Sequence, residues 1–238
     1  MYSGRVCIAG YDINRSCIRP VPTHGGIPEP SLYKDGTPFI YPFAVVSYDL
    51  LESTPSPPHT EDYVYDLRYP KFVSNAKERE AVLCWSHYNS IGDIFEQPIY
   101  SDHGFYVMDC QGPRSLGTIR PVRIIEVMYK PDQENTWDYR MSFLDNRRVF
   151  YRLKINDLTW HYFCNSLRGE NNDPTTIASK LTKELLSKKV YLRIGLARGW
   201  NKFPDRCYLQ ITGVYTFPDY LDGRNFSDFA PSRTKRQA

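Results

Sequence analysis

Two places in this sequence set an aromatic ring among cations, and a third sets two cations face to face. Over residues 149–155 the apolar positions alternate as Val149, Tyr151, Leu153 and Ile155. That leaves Phe150, Arg152 and Lys154 on the opposite face, with Arg140 on the matching polar face of the presumed partner strand. The stretch Arg198-Gly-Trp-Asn-Lys-Phe puts Trp200 between Arg198 and Lys202. A ring beside cations suits single-stranded nucleic acid, because bases stack on the ring while the cations follow the phosphates. The plainer alternatives are a solvated face with one exposed ring, or a face covered by the other half of the chain, for Phe150. For Trp200 the alternative is a ring folded onto the rim of a barrel. In the N-terminal hairpin, Cys7 opposite Cys17 would put Arg5 opposite Arg19. Opposed like charges need an anion between them, either a phosphate or, more plainly, an Asp or Glu from elsewhere in the chain.

Catalysis finds no positive support. The sequence holds no nucleophile elbow, phosphate-binding glycine loop, zincin motif or dinucleotide fingerprint. His161 and Cys164 are three apart but have no second ligand pair at zinc spacing, and His24, His59, His87 and His103 are isolated. Glu184 with Lys188 reads as an ordinary i,i+4 helix pair. The expectation is a module that binds rather than cuts, with no metal and no cofactor. The six cysteines are scattered and form no CxxC, which reads as reduced thiols. No apolar run is long enough to span a membrane, and the first residues carry no leader-like apolar region, so a cytoplasmic location is expected.

Composition fits β structure as the frame for these residues. Aromatics make up 15% of the chain, with 19 tyrosines and 12 phenylalanines, which favour pleated, half-buried surfaces. Eighteen prolines and 14 glycines fit many turns between short strands. The net charge of +3 and the pI near 8.4 are too mild to mark a nucleic-acid binder, so any such footprint must come from local clustering.

Ile18-Arg-Pro-Val recurs as Ile119-Arg-Pro-Val, one small domain further along. The second half then reads as strands near 119–129, 137–144 and 149–155, a helix opened by Asp173-Pro174 with Ile177, Leu181 and Leu185 on one stripe, and strands at 190–196 and 207–214. Three strands, a helix and two strands is the order of a five-stranded OB barrel. The first half fits more loosely. It reads as a hairpin around residues 11–14, a strand near 43–51, a helix near 75–87 capped by Asn75, and closing strands near 105–110 and 116–124. The fold expected is therefore all-β with minor helices, two tandem OB-like five-stranded barrels packed closely together. The first spans 1–115, and the second spans 116–238 with its basic tail.

The opening Arg5-Val-Cys-Ile-Ala-Gly-Tyr-Asp with Ile18-Arg-Pro-Val resembles the start of the dual OB-containing domain family. So do the middle Leu116-Gly-Thr-Ile-Arg-Pro-Val-Arg-Ile-Ile, Tyr191-Leu-Arg-Ile-Gly-Leu-Ala-Arg, and Arg206-Cys-Tyr-Leu-Gln-Ile-Thr-Gly-Val-Tyr-Thr-Phe-Pro-Asp-Tyr. The likeness spans nearly the whole chain and lies in core and turn patterns. It implies a prokaryotic module of conflict or defence systems that recognises nucleic acid or a nucleotide beside other protein subunits. The resemblance carries no site residues over to this sequence. The other reading is a scaffold subunit with no nucleic-acid affinity. On the leading reading, binding falls steeply with salt and weakens on Trp200→Ala, Phe150→Ala and Arg152→Ala.

Overall fold

The computed structural model describes residues 4–66, 70–132, 136–169 and 173–231. The basic tail singled out above, 232–238, lies outside the described residues.

The second half forms its strands near the expected places. β1 (Arg123–Pro131), β2 (Trp137–Leu144) and β3 (Phe150–Ile155) form an antiparallel meander, and the 145–149 turn is tied by Asp145, whose Oδ1 accepts the Arg147 and Val149 N–H groups at 3.0 Å each. Two helices follow, α1 (Leu158–Gly169) and α2 (Pro174–Leu186), then β4 (Lys189–Leu196) and β5 (Arg206–Phe217). Of β2 to β5, only β3 and the start of β5 alternate in burial; β2 is buried at most positions and β4 on both faces. β5 pairs antiparallel with β4 and parallel with β3, giving the order β1-β2-β3-β5-β4. That order is consistent with an OB-type unit. The Asp173 carboxylate accepts the Thr176 N–H at 2.9 Å, and Ile177, Leu181 and Leu185 are buried, as the stripe requires. Not expected were α1, the short helix Phe226–Phe229 and the break that splits the strand expected at 119–129 into Leu116–Ile119 and β1. The Thr-Trp-His-Tyr-Phe run of α1 has weak helix propensity, and what holds it is burial of Trp160, Phe163 and Cys164 together with the cap from Asp157.

The first half departs from expectation. Gly10–Tyr11, Cys17–Val21, Asp62–Tyr65 and Leu50–Ser53 make a four-stranded sheet in that order, with the second and third strands parallel. Three two-stranded pairs flank it. Asn75 does not cap a helix. It ends the strand Lys71–Asn75, paired with Ala44–Ser47, and the helix covers only Arg79–Cys84. Gly104–Met108 and Leu116–Ile119, expected to close a first barrel, pair instead with β5 and β4. Cys17 lies opposite Tyr11 and Arg5 opposite Pro28, so Arg5 and Arg19 are not cross-strand partners.

The reason lies in where the core sits. One large cluster runs from Ile91, Ile94 and Phe95 through every strand of the second half to Tyr220 and Phe229. Ahead of Ile91, the clustered core among the described residues is small, Leu32 and Ile40 with Phe226 from the far end of the chain. With little apolar area of its own, the first half is fixed by what it packs against.

Candidate nucleic-acid interface

β3 alternates strictly between exposed and buried residues, with Phe150, Arg152 and Lys154 outward. Across the ladder Arg140 faces Lys154, Ser142 faces Arg152 and Leu144 faces Phe150, so the four predicted residues share one outer face. Two of its cations are already neutralised. Arg152 donates to Glu126 at 2.9 Å and to Ser142 at 3.1 Å, and Arg140 donates to Asp138 at 2.7 Å. Lys154 and Lys202 have no ion-pair partner among the described residues. The Arg152 guanidinium lies 6.0 Å from the Phe150 ring.

This face continues onto β5. The parallel pairing of Lys154 with Gln210 puts both outward, and alternation places Tyr208, two residues back, beside them. Tyr106 is the register partner of Tyr208, and Tyr100 that of Tyr106. The outcome is a run of rings: Tyr100–Tyr106 at 5.5 Å and stacked, Tyr106–Tyr208 at 5.5 Å, Tyr208–Phe203 at 6.4 Å and Phe203–Trp200 at 5.7 Å. Trp200, Phe150 and Tyr100 are 54%, 45% and 44% exposed. Arg206 lies over Tyr106 (4.7 Å) and Phe203 (4.4 Å), and the Asp102 carboxylate holds it there at 2.7 Å and raises its pKa. Lys202 sits 5.4 Å from the Phe203 ring, and a shallow depression lies between His103, Trp200, Lys202 and Tyr208.

A glycine lets the turn at the edge of this surface close. A Cβ on Gly199 would come within 2.1 Å of the Pro204 carbonyl oxygen, so only glycine lets the Trp200–Phe203 turn close, with the Phe203 N–H donating to the Trp200 carbonyl at 2.8 Å. At Gly104 a Cβ would meet the Tyr208 ring at 3.3 Å, a tight contact.

The remaining predicted cations lie elsewhere. Arg19, 5% exposed, donates to Asp62 at 2.6 Å and to Ser115 at 3.1 Å, and Arg198 binds the other Asp62 oxygen. The anion beside Arg19 is thus an acid of the chain, and both arginines hold the seam between the halves. Arg5 lies along Gly25 and Gly26. At the same seam Glu61 accepts from Ser115 and Leu116, and buried Arg193 reaches Tyr11 and Cys17. The structure therefore brings together Arg140, Phe150, Arg152, Lys154, Trp200 and Lys202, and sets Arg5, Arg19 and Arg198 apart.

Sequence reasoning missed Tyr100, Tyr106, Phe203, Arg206 and Tyr208. The signal was present in Arg206-Cys-Tyr-Leu-Gln-Ile, where Cys207, Leu209 and Ile211 face inward and Arg206, Tyr208 and Gln210 outward, the same pattern as at Phe150.

His161 stacks on Tyr139 at 3.9 Å and meets the Ile155 carbonyl at 2.6 Å, while Cys164 is fully buried. Among the described residues no group of three or more His, Cys, Asp or Glu could hold a metal, and no helix is long and apolar enough to cross a membrane. Comparison with curated proteins and with solved structures finds no match. The family model of the dual OB-containing domain matches residues 1–214, so the chain belongs to the dual OB-containing domain family.

Proposed function

We propose that the chain is a non-catalytic module that recognises single-stranded nucleic acid on the outer face of β3, β5 and the Gly104–Met108 strand. The carrying observation is the contiguous series Tyr100, Tyr106, Tyr208, Phe203 and Trp200, with Arg206 threaded between rings and Lys154 and Lys202 unpaired beside it. Each base stacked on such a ring contributes about 1–3 kcal/mol whatever its identity, so the surface suits a strand more than a sequence. In the finer architecture of this reading, residues 116–131 act as one bent strand. It lies against β4 before Pro121 and against β2 after it, and so closes the second unit as a barrel beside a first, irregular OB-like unit. The module works in the cytoplasm inside a prokaryotic conflict-system assembly, as the family resemblance implies.

Photo-crosslinking with a 4-thiouridine oligonucleotide tests the placement. Adducts are expected on the peptides carrying Tyr100, Tyr106, Phe203 and Tyr208. Adducts confined to residues 10–75 would contradict it.

A second reading, a protein-contact subunit, draws on Leu51 and Val73, 60% and 61% exposed on strands of the first half. Retention of neighbouring gene products without any oligonucleotide affinity would favour it.

A further inference from the structure

A separate cavity of about 150 Å³ lies where the 41–43 turn meets the end of β5 and the segment after it. An engineered protein cavity of about this size takes a single benzene ring. Its walls carry Tyr41, Phe43, Tyr215 and Tyr220, with Phe43 set edge-on to Tyr215 at 5.1 Å.

Three observations mark it as more than a packing gap. Phe43 has φ +67, a left-handed conformation that a bulky residue adopts only under constraint; here the Ala44 N–H donates to the Tyr41 carbonyl at 3.0 Å and the Ala76 N–H to the Phe43 carbonyl at 2.9 Å. Tyr220, 5% exposed, has a buried hydroxyl with no hydrogen-bond partner among the described residues. Arginines line the rim. Arg79 lies 5.4 Å from the Phe43 ring with its side chain 38% exposed, and Arg224 has no ion pair among the described residues. The carboxylates nearby are engaged by the fold, Asp157 by three backbone N–H groups and Asp219 by Arg79 and the Leu221 and Gly223 N–H groups.

A ring-sized space with a polar edge, opening beside the Arg224 guanidinium, matches a planar heterocycle that carries an anion. We propose that this cleft binds a nucleoside monophosphate group, its base against Phe43 and Tyr215 and its phosphate on Arg224, beside the Arg79–Asp219 ion pair. The group is either a free nucleotide or the phosphorylated end of a strand, and the site stands independently of the outer face.

Calorimetric titration of the full chain with AMP, GMP, CMP and UMP tests this, with ribose 5-phosphate as the probe without an aromatic ring and phenyl phosphate as the probe with a ring but no heterocyclic base. At least one nucleotide is expected to bind with Kd below about 1 mM and at least tenfold more tightly than either probe. Phe43→Gly and Arg224→Gln should each weaken it tenfold or more, and the unfolding midpoint of Phe43→Gly should hold, because glycine adopts φ +67 freely. A 5′-phosphorylated hexanucleotide that binds tenfold more tightly than the mononucleotide, and is also weakened by Phe43→Gly, assigns the strand end; equal affinities assign the free nucleotide. No saturable binding up to about 10 mM, equal binding of a probe, or affinity untouched by both substitutions would overturn the proposal. A loss caused by Trp200→Ala instead would place the nucleotide on the outer face and overturn it as well.

Discussion

Removing Asp62 leaves two guanidinium groups without their shared carboxylate, one of them, Arg19, nearly sealed from water. Asp62→Ala is expected to destabilise the fold by about 3–5 kcal/mol, read from the urea midpoint, because it strands a buried charge. Arg198→Ala should cost far less, its side chain being 55% exposed. Trp200→Ala belongs to the other class. It should shift the unfolding midpoint by no more than about 0.5 kcal/mol. Its oligonucleotide affinity should fall roughly 5- to 100-fold, the loss of one stacked base. The opposition of Arg5 and Arg19 could not be read correctly, because strand register depends on turn geometry that sequence leaves open. An acid beside Arg19 was expected only from that mistaken opposition; the actual partner is Asp62, forty-three residues away across a parallel pairing. The pairing of Arg140 with Asp138 and of Arg152 with Glu126 also weakens the sequence-based expectation of steep salt dependence, since cations already neutralised release few counterions.

At the scale of elements, legibility followed strand length and locality. β2, β3, β4 and β5 run 6 to 12 residues, long enough for their apolar positions to mark them as strands, and in β3 and β5 the alternation also shows a face. First-half strands of 2 to 5 residues give alternation almost nothing to register, and their partners are remote. α1 was hidden by its aromatic run and is held by Asp157. The Asp157 Oδ1 accepts the Thr159 N–H at 2.9 Å, and its Oδ2 accepts the Val214 N–H at 3.1 Å, which ties the helix to β5. Asp157→Ala should cost about 2–4 kcal/mol in chemical denaturation, the sum of a lost cap and a buried unpaired N–H.

For the molecule as a whole, burial lowers the pKa of both His59 and His161 to about 4. Each stays neutral when folded but takes a proton in the unfolded chain below about pH 6.5. Stability is therefore full above that pH and is lost as pH falls towards 4, by up to about 3 kcal/mol per histidine. Asp157, raised to about 6 by burial, acts oppositely, its folded form binding the proton first as pH falls from 6 to 4. Urea midpoints between pH 7 and 4 should therefore fall, and His161→Phe, which keeps a ring on Tyr139, should flatten that fall by about half of the histidine contribution. The small first core predicts that a chain ending at residue 115 unfolds without a cooperative transition, having lost Phe226 and the β5 partner of Gly104–Met108.

On this outer face rings, more than charge, hold a single strand in the proposed complex. Fluorescence anisotropy with a labelled oligonucleotide of about 12 residues, on the parent chain and on Tyr106→Ala/Trp200→Ala, tests it most directly. With two unpaired lysines on the face, affinity should fall only about five- to tenfold between about 50 and 200 mM salt. The double substitution should weaken binding about 30-fold or more at either salt. Affinity that ignores the loss of both rings, or that vanishes with salt, would contradict the account.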